Sequence, residues 1–331
     1  RLEPVMYNAL MSEPGGPSVT VGLNAVIVAV TREEPRVLTV PWLTQVPCDA
    51  ESVPEPARAD GAPRDALPYG PLDPERDRKL ERALVRWVYG QTGLELLYAE
   101  QLYTFGDQLR DPQWLHGGSR AVSVAYLALV GESLTSGRLE AAWRDVYHLF
   151  PWEDWRAGQP EIISRQIAPV LDRWIRIAER DQRRARRERA EICFGLGEAG
   201  WDGDRVLERY ELLYELGLVA ESWWDSAYRR AATQPSGRRP GDAPREAVGA
   251  VLEGGPLPFV LGRPMALDHR RIVATALGRL RGKIKYRPVV FELLPPEFTL
   301  LQLQRVVEAL SGVRLHKGNF RRLVEKGGLV E

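Results

Sequence analysis

Residues 19–30, VTVGLNAVIVAV, constrain this chain more than any other stretch. They are mostly β-branched or apolar and lack the alternation of a strand with one wet face. They predict a strand buried on both sides, which needs a layer of structure against each face. A second strand over 37–46 pairs with it across TREEP at 31–35. Residues 47–71 are rich in Pro, Ala and Asp and read as loop. Asp73-Pro-Glu is expected to open a helix, with Asp as cap, Pro in the first turn and the acid suited to the helix dipole. Leu80, Leu84, Trp87 and Val88 then recur at helical spacing, and Gly93 stands where a left-handed cap belongs. Segments 94–105 and 121–130 predict two further strands, joined by a loop over 106–120.

The middle of the chain is expected to be helical. Ile163, Ile167, Val170, Trp174 and Ile177 form one apolar stripe. Its polar face continues into the basic run 183–189, RRARRER, read as a solvated helix face with contact to DNA as the alternative. Val206, Leu207, Tyr210, Leu213 and Tyr214 mark a second helix, closed by Gly217. Residues 229–247 are polar and rich in Pro and Gly, and read as linker or loop. A third helix runs from 268 to about 280.

Charge is balanced overall, with 45 Lys and Arg against 45 Asp and Glu, but unevenly placed. Residues 256–331 hold fourteen Lys and Arg against six Asp and Glu, a net of +8 on an otherwise acidic body. A basic end suggests a polyanionic partner. The two cysteines, Cys48 and Cys193, lie far apart, and His116, His148, His269 and His316 are dispersed. Reduced cysteines in a cytoplasmic protein, with no structural metal, are expected. No apolar run approaches a membrane span. The start, RLEPV, carries no secretory pattern and no initiator Met, so the sequence reads as trimmed.

The C-terminal end carries the clearest local signals. Thr299 and Gln302 form a capping box, with Phe298 and Leu303 placed to staple the helix start. That helix is expected to bury Leu300, Leu303, Val307 and Leu310. A second helix follows over about 317–326, with Gly327-Gly at its C-cap. Phe320, Leu323 and Val324 define its inner face, while Asn319, Arg321 and Arg322 lie mostly opposite. This is the layout of a helix-turn-helix. Arg bonds guanine edges or phosphate, Asn pairs with adenine, and His316 and Lys317 stand at a helix start that favours phosphate. A helical hairpin with a solvated basic face is the alternative.

The order strand, strand, loop, helix, strand, strand resembles the Nudix hydrolase fold. The segment 80–94, LERALVRWVYGQTGL, carries that resemblance through Arg86, Val88, Gly93 and Leu94. The three terminal box glutamates fall on Trp87, Gly90 and Gln91, the upstream Glu on Arg78 and the leading Gly on Leu72. Mg²⁺ needs hard oxygen ligands; Trp and Gly offer none, and Arg78 would repel a cation. The resemblance therefore implies a non-enzyme, with no Mg²⁺-dependent hydrolysis by this route. Glu75 and Glu81 remain on the helix at the wrong offsets. A domain of this kind can still bind a nucleotide. Arg86, Arg110 and Arg120 are candidates for phosphate or ribose contact, and Trp42, Tyr103 and Phe105 for stacking on a base; packing or solvation is the alternative for each.

Residues 265–331 resemble the C-terminal part of the Nudix-related transcriptional regulators of the NrtR type, most specifically through ALDH, ALGRLRGKIKY, FELLPPEFTL and NFRR. AEQLYTFGD at 99–107 and VSVAYLAL at 122–129 look like the same family. The long segment 145–255 and the lost box make the chain most similar to the NadQ repressors of NAD biosynthesis. His316 departs from the acidic or polar cap usual before the recognition helix.

The expected fold is α+β. A Nudix-like α/β/α sandwich over 1–144 and 256–294 takes a helical insertion over 145–255. A winged helix-turn-helix follows over 295–331, its wing incomplete. The resemblance implies a cytoplasmic, homodimeric repressor of NAD biosynthesis genes. Its partners would be a palindromic double-stranded operator and an effector nucleotide (NAD, ADP-ribose, ATP or nicotinamide mononucleotide), with no cofactor required and no membrane. A divergent hydrolase of ADP-ribose or a related nucleoside diphosphate is the first alternative. An adaptor holding RNA or a protein is the second.

Overall fold

The computed structural model describes residues 19–42, 64–107, 110, 119–131, 139–233, 260–286 and 290–326. Its strands are β1 (Val19–Thr31), β2 (Glu34–Trp42), β3 (Arg64–Ala66), β4 (Tyr69–Pro71), β5 (Glu100–Phe105), β6 (Arg120–Leu129) and β7 (Ala142–Asp145). Its helices are α1 (Leu80–Thr92), α2 (Val146–Leu149), α3 (Ala168–Arg176), α4 (Arg180–Phe194), α5 (Val206–Glu215), α6 (Ala220–Thr233), α7 (His269–Tyr286), α8 (Leu300–Ser311) and α9 (Lys317–Lys326). A π-helical turn, Ile163–Ile167, leads into α3.

The strand order is β3-β2-β1-β6-β5, with β4 also paired to β1 and β7 to β2. The β1–β6 pair is parallel and the other pairings are antiparallel. β1 turns into β2 through Arg32 and Glu33, both at positive φ (53° and 64°). That is the twist-matched geometry of a two-residue hairpin. Because neither residue is Gly or Asn, the turn stores about 1 kcal/mol or more at each.

β1 is dry on both faces, as its composition requires. Leu23, Ala25 and Ile27 join Leu38, Val124, Tyr126 and Ala128 in one core, which α1 covers with Ala83, Leu84 and Val88. Val26 and Val28 join Val37, Ala125 and Leu127 in the other, beneath Val273 and Leu277 of α7. This sandwich is the α+β arrangement expected. The second core does not stop at the sheet. It runs through Phe150, Trp152, Leu171, Phe194 and Tyr210, and on through Leu303 and Leu310 of α8 to Phe320 and Val324 of α9.

Several boundaries differ from the sequence expectation. Residues 64–66 and 69–71, expected as loop, are strands β3 and β4. Asp73 caps a single turn instead of opening α1: its Oδ1 accepts from the amides of Glu75 and Arg76 at 3.0 and 3.2 Å. The helix starts only at Leu80, after extended Lys79. Residues 94–99 are irregular and leave Leu97 and Tyr98 exposed; the strand begins at Glu100. α3 and α4 are separate helices, so Ile177, counted in the α3 stripe, stands 40% exposed at the break. α6 occupies residues counted as linker, and α7 runs on to Tyr286. Leu300 is half-buried and Leu323 is exposed, although both were expected inside. Cys48, His116 and the Gly327-Gly cap lie outside the described residues, as does most of the 229–247 linker.

Candidate nucleic-acid interface and ligand face

On α1, Trp87 and Gln91 pack against the preceding strand. Trp87 Nε1 donates to the Pro71 carbonyl at 2.9 Å. Its ring covers Gly70 so closely that an added Cβ there would lie 2.1 Å from it. Gln91 clamps the same segment from both sides: Oε1 accepts from the Tyr69 amide at 3.0 Å, and Nε2 donates to the Tyr69 carbonyl at 2.7 Å. Gly90 faces open space and Arg78 is exposed. α1 is thus pinned to β4 by Trp87 and Gln91. Gly93 (φ 72°) ends the helix as expected. Among the described residues, no three His, Cys, Asp or Glu side chains converge as a metal site would require.

The six candidates for ligand contact sit on one half of the molecule, mostly held by internal partners. Arg86 Nη2 donates to both oxygens of Asp77 at 3.0 and 2.8 Å. Arg110 grips Asp268 with two bonds of 3.0 and 2.8 Å, both side chains nearly buried. Arg120 reaches the Gly106 carbonyl at 3.0 Å. Trp42 is buried against Tyr69 and His269. Phe105 is buried and meets Tyr103 edge-on at 5.3 Å. Tyr103 itself is 60% exposed.

The ALDH motif builds a buried polar centre beside them. The Leu67 amide donates to His269 Nδ1 at 3.0 Å. Nε2 of the same ring lies 3.1 Å from Asn24 Nδ2, and Asn24 Oδ1 accepts from the Ser123 hydroxyl. Burial pushes His269 down to about 4; Asp268 opposes that shift and Arg110 adds to it. A neutral ring is what this geometry needs.

At the other end, α8 and α9 form the expected helical pair. The Thr299–Gln302 capping box is present, and Gly312 (φ 73°) closes α8. Phe320 and Val324 are buried against the core. His316, Lys317, Asn319, Arg321 and Arg322 are all exposed, so the structure keeps the expected DNA-facing set together on one helix. Arg321 meets Glu325 at 2.7 Å and Arg322 meets Asn319 at 3.2 Å, contacts along the helix surface that an incoming phosphate or base can replace. The His316 carbonyl accepts from the amides of Asn319 and Phe320, which starts α9.

Sequence reasoning missed the residues that shape the turn. Glu308, buried in α8, accepts from Gln304 Nε2 (2.8 Å), the Leu315 amide (3.0 Å) and Arg314 Nη1 (2.7 Å). Burial would raise its pKa, but the bonds from Arg314, Gln304 and Leu315 outweigh it and hold the carboxyl below its usual value. The available signal was a polar pair, Gln304 and Glu308, one turn apart on the inward face of an apolar helix.

Residues 290–331 match the NrtR DNA-binding winged helix domain family. This end of the chain is thus similar to an NrtR-type winged helix. The chain is also similar to the "ADPR responsive transcriptional repressor NtrR" of Acinetobacter baylyi, 39% identical over 67 residues. That match covers 20% of this chain and 27% of the relative, so the chain spans about a quarter of the curated relative's length. Among solved structures, Shewanella oneidensis NrtR with a 27mer DNA aligns over 93% of this chain and 83% of its own, at 18% identity and a TM-score of 0.45. The Enterococcus faecalis MutT/nudix family protein aligns over 95% and 83%, at 15% and 0.47. The Nudix domain of S. oneidensis NrtR with ADP ribose aligns over 43% and 82%, at 21% and 0.31. No described helix is long and apolar enough to cross a membrane.

The NrtR-type winged helix is fastened to the rest of the chain by a buried charge cluster. Glu153, fully buried between α2 and α3, binds Arg209 of α5 at 2.6 and 2.9 Å and Arg281 of α7 at 2.5 Å. Arg281 Nε also donates to the Leu310 carbonyl at the end of α8 (3.0 Å). Tyr147 donates to the Ala309 carbonyl at 2.5 Å, and the Trp155 amide donates to the Gly312 carbonyl at 2.7 Å. Burial pushes Tyr147 up to about 12, against the lowering effect of Arg281. The orphan Ala309 and Leu310 carbonyls at the end of α8 are thus satisfied by Tyr147 and Arg281.

Proposed function

We propose that this chain is a DNA-binding transcriptional repressor whose α9 reads duplex DNA and whose sheet module binds an ADP-ribose-related nucleotide. The observation that carries the reading is α9 itself. An NrtR-type winged helix presents His316, Lys317, Asn319, Arg321 and Arg322 to solvent while Phe320 and Val324 anchor it. Arg and Asn on one exposed helical face provide the donors and acceptors that guanine and adenine edges require in the major groove. The operator would be palindromic, near NAD-synthesis genes, and read by a homodimer that links two half-sites.

The effector belongs to the class of NAD, ADP-ribose and ATP. Its release or capture would favour one arrangement of the two recognition helices over another. Of the six ligand candidates, Tyr103 is the exposed aromatic able to stack on a base without repacking, and Arg120 starts β6, the strand beside it. The chain would not hydrolyse nucleotides through the box helix, because Trp87 and Gln91 occupy the acid positions as packing groups.

The test is fluorescence anisotropy on duplexes from upstream of this gene and of neighbouring NAD-synthesis genes, across a salt series, with and without each nucleotide. Tight, sequence-selective binding shifted by one nucleotide is expected. Equal, salt-labile binding to every duplex, unmoved by any nucleotide, would reduce the face to a nonspecific basic patch.

A further inference from the structure

Glu308 points away from the DNA-facing surface, yet it controls where that surface stands. Of its two carboxylate oxygens, Oε1 holds the Leu315 amide, one residue before the His316 carbonyl that starts α9. It also holds Gln304 one turn back in α8. Oε2 holds Arg314 at 2.7 Å, with Arg305 at 3.6 Å. Both arginines also face Glu33, at 3.8 and 3.5 Å. Glu33 is at the tip of the β1–β2 hairpin, where φ is positive, and its carbonyl is bonded by Arg156 at 2.5 Å. Two carboxylates and two arginines therefore join the sheet module to the turn before the recognition helix.

The halves of this square are unequal. Glu308 is 3% exposed and bonded to backbone, so its geometry is fixed. Glu33, Arg305 and Arg314 have side chains 40–49% exposed, and their contacts with each other are long, so these can exchange for solvent. A buried, fully bonded charge specifies one arrangement; an exposed, loose pair adjusts it.

Resting on the reading of α9 as a DNA-reading helix, we propose that Glu308 is the positioning residue for that helix, and that Glu33 couples the sheet module to it through Arg305 and Arg314. Glu308 touches no DNA in this assignment. It sets the angle at which Asn319, Arg321 and Arg322 are offered, and a small error in that angle costs base contacts before it costs phosphate contacts.

The experiment compares the full-length wild type with E308A, E308Q, E33Q and R322A. It measures affinity for the operator and for a scrambled duplex of equal length. Amide hydrogen exchange across 315–324 is followed without DNA. E308A is expected to lose about tenfold or more in operator affinity with scrambled-duplex affinity nearly unchanged, and to exchange faster at Leu315 and through the first turn of α9. E308Q, which still accepts from the Leu315 amide, should recover much of both. E33Q should leave exchange in α9 and scrambled binding as in wild type and change only how far an added ADP-ribose shifts operator affinity.

Equal loss on both duplexes in E308A, or unchanged exchange at 315–320, overturns the positioning role. An unaltered nucleotide response in E33Q overturns the coupling. If the wild type prefers no duplex and R322A binds as it does, the DNA-reading assignment itself fails, while the exchange at Leu315 still decides whether Glu308 fixes the helix.

Discussion

In the sheet half of the molecule, Arg86, Arg110 and Arg120 each have a partner within the chain: a carboxylate for the first two and a carbonyl for the third. In α9, among the described residues, Arg321 bonds Glu325 and Arg322 bonds Asn319, both on the same exposed surface. The two regions share a residue type and differ in what the guanidinium is for. A buried arginine with a bidentate carboxylate holds the fold, and removing either partner strands the other. An arginine on a helix anchored from behind, with weak lateral contacts, is held ready for an external anion. Burial sets Arg110 apart from the α9 arginines, while Arg86 and Arg120 are exposed like them and differ in bonding partners farther along the chain.

The sharpest way to break this comparison is to disturb the charges on the fixed side. Glu153→Ala would leave Arg209 and Arg281 buried without their carboxylate, and should cost about 3–5 kcal/mol of unfolding free energy in a denaturant titration. A cost near zero would mean that the cluster is not what fastens α8 to α5 and α7. Arg110→Ala should cost somewhat less, roughly 2–3 kcal/mol, because the stranded Asp268 stands just before α7, where the helix dipole favours it.

A pH titration tests the same half without a substitution. His269 is held neutral by burial, near 4 in the folded chain against its ordinary 6.5. Its unfolded form binds the proton more readily, so stability is full above about pH 6.5 and falls as pH drops toward 4. The loss is about 3 kcal/mol from this residue. His269→Gln should flatten that part of the profile; an unchanged slope would place the titrating group elsewhere.

The smallest stability change should come from the free side. Arg322→Ala should move the unfolding free energy by less than about 0.5 kcal/mol while weakening operator binding by about 1–3 kcal/mol. Nucleotide binding should stay intact. Loss of nucleotide binding in parallel would dissolve the distinction between the two regions.

What could be read in the sequence was what is encoded locally. The Thr299–Gln302 box spans three residues, Gly93 and Gly217 mark their own helix ends, and β1 declares its burial through its composition. Periodicity overreached where a stripe outran its contact, as at Ile177 and Leu323. Partnerships at long range were not legible. Arg110 finds Asp268 158 positions away, and Trp87 seals Gly70 in a segment that composition marked as loop. The candidates for ligand contact were therefore chosen by residue type alone, and the structure shows most of them engaged. The exposure of Lys317, Asn319, Arg321 and Arg322 was easier to read, because helical spacing fixes which residues share a face.

The Glu153 cluster also dictates an order of assembly. Glu153 and Arg209 are 56 positions apart and can meet once α5 has formed, but Arg281 lies 128 positions beyond Glu153. During synthesis the centre of the chain must wait with half of its charge pairing made and the floor of its apolar core uncovered. Closure comes only when α7 and then α8 leave the ribosome. α8 and α9 thus also wall the core, and a nascent chain has no finished centre to protect until they arrive.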